Sequence, residues 1–123
     1  MKRIISLLLC IVMVLSVSSV FAAETEPETI KIGVLMPLSG ATASSGNYQL
    51  EGMQIAADYV NEHGGIQSMG GAQIELVVSD TAGDIETGTT EAERLITVEN
   101  VNALCGPFNS TVGAATAPIA IQY

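Results

Sequence analysis

Residues 30–36 read IKIGVLM, and this short, nearly continuous apolar run decides the fold class of the chain. Apolar residues without alternation are typical of a parallel strand, because helices cover both faces of a parallel sheet. Pro37 ends the predicted strand. Residues 37–47, PLSGATASSGN, then form a predicted loop that is rich in glycine and serine.

A helical pattern follows this loop. It begins at Tyr48 and ends at Gly64-Gly65, because glycine readily adopts the left-handed conformation that closes a helix. Its apolar residues recur at helical spacing and form one broad stripe. The stripe contains Leu50, Met53, Ile55, Ala56, Ala57, Tyr59 and Val60.

Two further strands and the helix between them continue the pattern. Residues 73–79 (QIELVVS) and 101–105 (VNALC) predict the strands, and residues 87–100 predict the helix. The apolar side of that helix carries Ala92, Leu95, Ile96 and Val98.

Strands and helices therefore alternate, and a third helix follows the last strand. This order predicts an α/β fold with a parallel sheet, right-handed crossovers and helices on both faces. Ligands of such sheets bind outside the carboxyl ends of the strands, which here carry residues 37–47, 80–86 and 106–111. The third strand has an uncovered edge, and no closing element follows the last helix, so we expect the chain to be truncated.

The first 22 residues have the order of a secretory signal peptide. Lys2 and Arg3 precede an apolar run over residues 4–20, and Val20-Phe21-Ala22 is typical of a cleavage site. A membrane-spanning helix is the alternative, but the acidic residues directly after the run argue against it. Residues 23–29 form a polar lead-in to the domain at 30–123. We expect a secreted protein in the periplasm or at the outer face of the cell membrane.

The chain has two cysteines, Cys10 and Cys105. Lipidation of Cys10 is not expected, because Leu9 stands where that modification needs a small residue. Loss of the signal peptide leaves Cys105 alone, so no internal disulfide can form.

The charge of the chain is strongly negative. Thirteen acidic residues stand against four basic ones, and all of the acids lie at or after Glu24. Without the signal peptide, only Lys31 and Arg94 are basic, so the formal charge is −11. Such a surface repels phosphate backbones and anionic lipids, which argues against nucleic-acid binding.

The common catalytic motifs are missing. No glycine-rich dinucleotide motif follows the first strand, and neither a phosphate-binding loop nor a nucleophile elbow occurs. His63 is the only histidine, which makes a zinc site or a catalytic triad implausible. Asp80, Asp84 and Glu86 do not have the spacing of a calcium loop, and we interpret them as solvated loop carboxylates. No cofactor or metal is predicted.

Asn109, Ser110 and Thr111 follow the third strand and begin the third helix. Asn109 or Ser110 is the predicted cap of this helix, and Pro118 is expected to kink or restart it. The free N–H groups and hydroxyls at such a helix start suit a carboxylate ligand. An ordinary cap that serves only its own helix explains the same residues equally well.

Four segments, taken in order, resemble a known family. They are IKIGVLMPLSG, EGMQIAADYVNEHGGI, IELVVSDTAGD and ALCGPFNST. The chain is similar to branched-chain amino acid-binding proteins, the substrate-binding proteins of ABC transporters with the type I periplasmic binding fold. The most specific element is N-x-x-GGI at residues 61–66. The resemblance implies that residues 30–123 are the N-terminal part of the first of two lobes.

The resemblance also implies a ligand site between the lobes. Ser110 and neighbouring backbone groups then bind the α-carboxylate of the ligand, and Thr111 lies beside them. Phe108 and Asn109 line the side-chain pocket. The segment from the first strand that meets the ligand contributes Ser39, Gly40, Ser45 and Gly46.

The chain departs from the family pattern at two places. Ser45 stands where family members often have an aromatic residue, which puts leucine-like ligands in question. Gly83 and Asn109 occupy the positions of the cysteine pair found in the family.

The expected function is non-catalytic capture of an amino acid or a related small polar solute. The lobes close on the solute, and the closed form docks on an ABC transporter membrane permease. One alternative is the extracellular ligand-binding domain of a sensor, which would carry a transmembrane helix after its second lobe. A less favoured alternative is an α/β enzyme, which would need a nucleophile, a base or a cofactor loop.

Overall fold

The computed structural model describes residues 28–123, so the predicted signal peptide, Cys10 and nearly all of the polar lead-in lie outside the described residues. Strands and helices alternate as predicted, which confirms the α/β fold class. The elements are β1 (Thr29–Met36), α1 (Ala43–Glu62), a short 3-10 helix (Gln67–Met69), β2 (Gln73–Asp80), α2 (Ile85–Thr97), β3 (Ala103–Cys105) and α3 (Ser110–Gln122). Within residues 28–123, no helix combines the length and the apolar character needed to cross a membrane.

The three strands form one parallel sheet with β1 in the centre, in the order β2-β1-β3. Val34 of β1 is paired with Val78 on one side and with Cys105 on the other. The last four residues of β1 are all buried. The continuous apolar run in residues 30–36 thus reflects a central strand that is covered on both faces.

The two faces of the sheet are covered by different helices. On one face, α1 packs over Ile32 and Val34 of β1, and its own residue Ala57 is buried. On the opposite face, Leu35 forms a core with Ala92 and Leu95 of α2. Val77, Val101, Leu104 and Ile119 pack against this core. The two crossovers therefore lie on opposite faces, as expected for right-handed connections that run in opposite directions across the sheet, from β1 to β2 and then from β2 past β1 to β3.

The stripe predicted on α1 covers more of the helix than the face that packs on the sheet. Met53, Ala57 and Val60 point towards the strands. Ile55 and Tyr59 are 64% and 62% exposed, on the outer side of the helix. The apolar composition of α1 thus exceeds what the sheet covers.

Helix α1 begins at Ala43, five residues before the predicted start at Tyr48. Gly46 is buried, and a Cβ atom at this position would overlap the carbonyl oxygen of Pro37. The side chain of Asn47 donates a hydrogen bond of 2.7 Å to the carbonyl oxygen of Ala43. Tertiary contact and side-chain bonding therefore place a glycine- and serine-rich stretch in a helix, against its intrinsic preference.

Helix α2 covers residues 85–97 rather than the predicted 87–100. It starts early because the carboxylate of Asp84 accepts hydrogen bonds from the backbone N–H (2.8 Å) and the hydroxyl (2.9 Å) of Thr87. Val98 lies just beyond the helix end and is 66% exposed, so its predicted place on the apolar side is wrong. The third strand is also shorter than predicted, since only residues 103–105 pair with β1.

Helix α3 continues through Pro118, so the prediction that the helix restarts there is wrong. Proline removes the hydrogen bond to the carbonyl group of Ala114. Ala114 and Pro118 are both exposed, so water can bind this carbonyl group and the helix does not need to end.

Candidate binding site

Three loops meet at the carboxyl edge of the sheet. The first loop (residues 37–42) follows β1, the second loop (residues 81–84) follows β2, and the third loop (residues 106–109) follows β3. The strands are parallel, so these loops share one edge with the start of α3. This is the edge at which open parallel sheets bind ligands.

Asp80 joins the first loop to the second. Its Oδ1 atom accepts hydrogen bonds from the backbone N–H groups of Leu38 (2.8 Å), Ser39 (3.3 Å) and Ala82 (2.8 Å). Burial raises the pKa of Asp80. Hydrogen bonds from the Ser39 hydroxyl and from these backbone groups outweigh that effect, so the pKa of Asp80 lies below its ordinary value. Asp80 is thus half-buried and hydrogen-bonded to two loops, which its interpretation as a solvated carboxylate did not include.

Gly83 is the point at which the second loop approaches both others. A Cβ atom on Gly83 would lie 3.4 Å from Thr42 Oγ1 and 3.5 Å from Asn109 Oδ1. Gly83 and Asn109, which correspond by resemblance to the cysteine pair of the family, are therefore spatial neighbours. Neither is a cysteine here, and Cys105 is a free thiol.

Asn109 lies directly before α3, but its side chain does not cap the helix. Its Oδ1 atom is buried and has no hydrogen-bond partner within residues 28–123. The predicted capping position is confirmed, whereas capping by this side chain is wrong. The N–H groups in the first turn of α3 have no acceptor within the helix, and without this cap they stay available.

The predicted binding residues of the third loop and α3 are contiguous at this edge. Ser110 and Thr111 are exposed in the first turn of α3, and Phe108 is 41% exposed. Asn109 is half-buried between them and Gly83.

The predicted residues before and in α1 have different environments. Ser39 and Gly40 are exposed and lie against the second loop, where a Cβ atom on Gly40 would be 3.2 Å from the carbonyl oxygen of Ala82. Ser45 is exposed in the first turn of α1, whereas Gly46 is buried against Pro37. The binding roles of all these residues remain predictions.

Asp80 connects the first two loops and Thr42 lies close to Gly83, but neither was among the predicted binding residues. An Asx turn gives a local signal for Asp80, since an aspartate at a strand end often accepts the N–H two residues later. The bond from Ala82 has this geometry. No local signal reveals the bonds to Leu38 and Ser39, which come from the preceding strand's loop.

Neither basic side chain of residues 28–123 belongs to the three loops or to α3. Within residues 28–123 the lysine and arginine side chains are Lys31 and Arg94, and Arg94 pairs with Glu91 (2.8 Å) and Glu99 (2.6 Å) and donates to the hydroxyl of Ser79 (2.7 Å). In the same part of the chain, no three histidine, cysteine or acidic side chains are grouped to hold a metal ion. A carboxylate at the start of α3 would meet N–H groups and hydroxyls rather than a side-chain cation.

The sequence profile of the periplasmic binding protein family matches residues 29–122. The Leu/Ile/Val-binding protein homolog 7 of Brucella suis is 38% identical over 106 residues, which cover 85% of this chain and 26% of that protein. This chain therefore spans about a quarter of the length of the curated relatives that it matches.

Solved structures show the same similarity. The branched-chain amino acid transporter substrate-binding protein LivJ of Streptococcus pneumoniae, in complex with isoleucine, is 35% identical with a TM-score of 0.72 over 77% of this chain and 26% of its own. A solute-binding protein of an ABC transporter from R. palustris, in complex with benzoate, is 28% identical with a TM-score of 0.67 over 76% of this chain and 25% of its own.

Proposed function

The chain belongs to the periplasmic binding protein family, and from this membership we propose that it forms one wall of a cleft that captures an amino acid or another small carboxylate. Capture takes place outside the cytoplasm, and an ABC transporter permease receives the solute. The chain is a binding component and not an enzyme.

The observation that carries this proposal is the uncapped start of α3. The Asn109 side chain does not cap the helix, and Ser110 and Thr111 expose their hydroxyls beside the first-turn N–H groups. A helix start with free N–H groups favours a negatively charged group, and hydrogen bonds to a charged group are stronger than neutral ones. A carboxylate satisfies these donors without a cation.

The ligands of the two solved relatives support the same reading. Isoleucine and benzoate differ in size, shape and total charge, but both carry a carboxylate. Each of these proteins shares with this chain the region that contains the three loops and the start of α3. We infer that this shared region binds the carboxylate, and that the remainder of the cleft selects the other part of the solute.

The proposed mechanism is binding by closure. Ser110 and the first-turn N–H groups donate to the carboxylate, Phe108 and Asn109 contact the adjoining part of the solute, and Ser39 faces it from the first loop. A closing second lobe excludes water, which strengthens each of these electrostatic interactions. Affinity then depends on a few well-placed donors in a preformed cleft.

Calorimetric titration of the protein expressed from its complete gene tests the proposal. The solutes are isoleucine, leucine, valine, alanine and benzoate, together with isoleucinamide and benzamide, which lack the carboxylate. We expect at least one carboxylate to bind and its amide to bind about 100-fold more weakly, because the amide replaces a charged acceptor oxygen by an NH2 group that cannot accept from the donors of the site. Failure of every carboxylate to bind, or equal binding of acid and amide, would contradict the proposal.

Substitution Ser110→Ala tests the position of the site in the same protein. We expect affinity for the bound carboxylate to fall about tenfold or more, because a hydrogen bond to a charged group contributes about 1.5–3 kcal/mol. The melting temperature should not change, since Ser110 is exposed. Ser68→Ala, an equally exposed serine in the 3-10 helix, is the matched control and should leave affinity unchanged.

A further inference from the structure

We propose that Asp80 is the positioning residue of this cleft: it holds the first loop against the second, so that Ser39 and Gly40 are already in place before a ligand binds. The inference rests on the proposed function for its consequence in binding. The arrangement of the two loops that it explains is independent of any ligand.

Backbone donors from two loops converge on one atom of Asp80. Oδ1 of Asp80 accepts three backbone N–H groups, two from the first loop and one from the second. Leu38 and Asp80 are 42 residues apart, so this oxygen joins segments that no local turn connects. A charged oxygen is needed to attract three donors well, because bonds to an ionised acceptor are roughly twice as strong as neutral ones.

Asp80 also stabilises an unusual backbone conformation in the second loop. Ala82 has a φ of 50°, in the left-handed region that a residue with a Cβ atom rarely adopts. The bond from Ala82 N–H to Asp80 stabilises this conformation. A Cβ atom on Gly40 would lie 3.2 Å from the carbonyl oxygen of Ala82, so the first loop lies directly beside this residue.

Asp84, in the second loop, differs from Asp80 in the location of its hydrogen-bond partners. Asp84 also accepts a backbone N–H and a hydroxyl, but both come from Thr87 in its own helix. Asp84 therefore fixes the start of α2, whereas Asp80 fixes one loop relative to another. Two carboxylates of similar chemistry thus provide a built-in control.

The experiment compares Asp80→Ala, Asp80→Asn, Asp84→Ala and Asp84→Asn in the protein expressed from its complete gene. Affinity is measured for isoleucine, or for benzoate if isoleucine does not bind. Amide hydrogen exchange at Leu38 and Ser39 is measured without ligand. All four variants lose one negative charge, so this loss alone cannot explain a difference between them. A melting curve for each variant measures the loss of stability separately from the displacement of the first loop.

For Asp80→Ala we expect affinity to fall about tenfold, which corresponds to one hydrogen bond's contribution, and exchange at Leu38 and Ser39 to accelerate. Asp80→Asn should restore part of both properties, because an amide oxygen still accepts N–H groups but carries no charge. The Asp84 variants should melt earlier and yet lose less affinity than the Asp80 variants, because the bonds of Asp84 go to Thr87 of its own helix and not to the first loop.

Equal losses of affinity in the Asp80 and Asp84 variants would overturn the inference, as would unchanged exchange at Leu38 and Ser39 in Asp80→Ala. These results differ from a failure of the proposed function, in which the unsubstituted protein binds no carboxylate. In that case the exchange comparison still decides whether Asp80 holds the first loop.

Discussion

Two asparagines at opposite edges of the sheet show how this chain divides its polar groups. Asn61, where α1 leads into β2, uses both its nitrogen and its oxygen: its side chain donates to the carbonyl oxygen of Ile74 (2.8 Å) and accepts from the N–H of the same residue (2.7 Å). Asn109, before α3, has a buried side-chain oxygen with no partner in the described part of the chain. Polar groups thus bond to each other at the amino edge, whereas a buried polar atom at the carboxyl edge has no partner within residues 28–123.

The pairing of Asn61 has a specific role at the amino edge. β2 is an outer strand of the described sheet and has a neighbouring strand on one side only. Outer strands expose unpaired backbone groups that can pair with another chain. The amide of Asn61 occupies both groups of Ile74, as a neighbouring strand would. The turn that follows is closed by bonds from Gly65 N–H to Val60 (2.9 Å) and from Ile66 N–H to Ala72 (2.8 Å).

The largest loss of stability is expected from a substitution in the turn at the amino edge. Gly65 has a φ of 73°, and a Cβ atom there would overlap the backbone carbonyl groups of Gly71 and Ala72. Gly65→Ala should therefore lower the free energy of unfolding by about 3 kcal/mol or more, from strain and overlap together. Urea unfolding followed by circular dichroism measures this loss.

Gly70→Ala is the matched control for that substitution. Gly70 also has a positive φ of 69°, but no atom lies within 4 Å of the position of its Cβ. Only the conformational cost remains, about 1–2 kcal/mol. If both variants lost the same stability, the close approach at Gly65 would not matter for the fold.

A smaller effect is expected from Asn61→Ala. The substitution leaves the N–H and carbonyl groups of Ile74 without their partners, which should cost about 1–3 kcal/mol in the free energy of unfolding. Ligand affinity of the folded protein should not change, because Asn61 lies at the edge opposite the loops. A fall in affinity comparable to that of Ser110→Ala would break the division between the two edges.

The smallest effect should appear in the dependence of stability on pH. Bonds from the Thr87 backbone and hydroxyl lower the pKa of Asp84, and bonds from Ser79 and Arg94 lower the pKa of Glu91. Groups with a lowered pKa in the folded state stabilise it above their unfolded pKa, and this contribution is lost as the pH falls. Stability should therefore be constant from neutral pH down to about 5 and decrease below about 4.

Two substitutions separate the edges in the same measurement. Asp84→Asn should show a shallower loss in acid, because one of the titrating carboxylates is gone. Asn61→Ala should lower the whole curve without changing its shape, since the Asn61 side chain does not titrate. Curves of identical shape for Asp84→Asn and the unsubstituted protein would show that this carboxylate does not contribute.

The fold class and the order of the elements could be predicted because they depend on local pattern. The apolar run of β1 and the helix end at Gly64 depend only on neighbouring residues, and both are confirmed. The start of α1 could not be predicted, because the stretch around Gly46 is helical owing to its contact with Pro37. Glycine and serine composition alone favours a loop.

The position of the candidate site could be predicted from the sequence, but the hydrogen bonds between its loops could not. A strand followed by Asn109 and Ser110 marks a helix start, which the structure confirms. The bonds of Asp80 to the first loop could not be predicted, because their partners are separated by about forty residues of sequence. The most specific motif of the family resemblance, at residues 61–66, contributes to folding at the amino edge rather than to the predicted binding site.

The central place of β1 has a consequence for the order in which the chain folds. β1 is the first strand to be synthesised, but its partners follow only after long intervals: Thr29 pairs with Gln73, and Lys31 N–H bonds to Asn102, 71 residues later. Such distant pairing closes slowly, because the entropy of a large loop must be overcome first. An emerging chain therefore has no strand to pair with β1 until β2, at residues 73–80, has been synthesised.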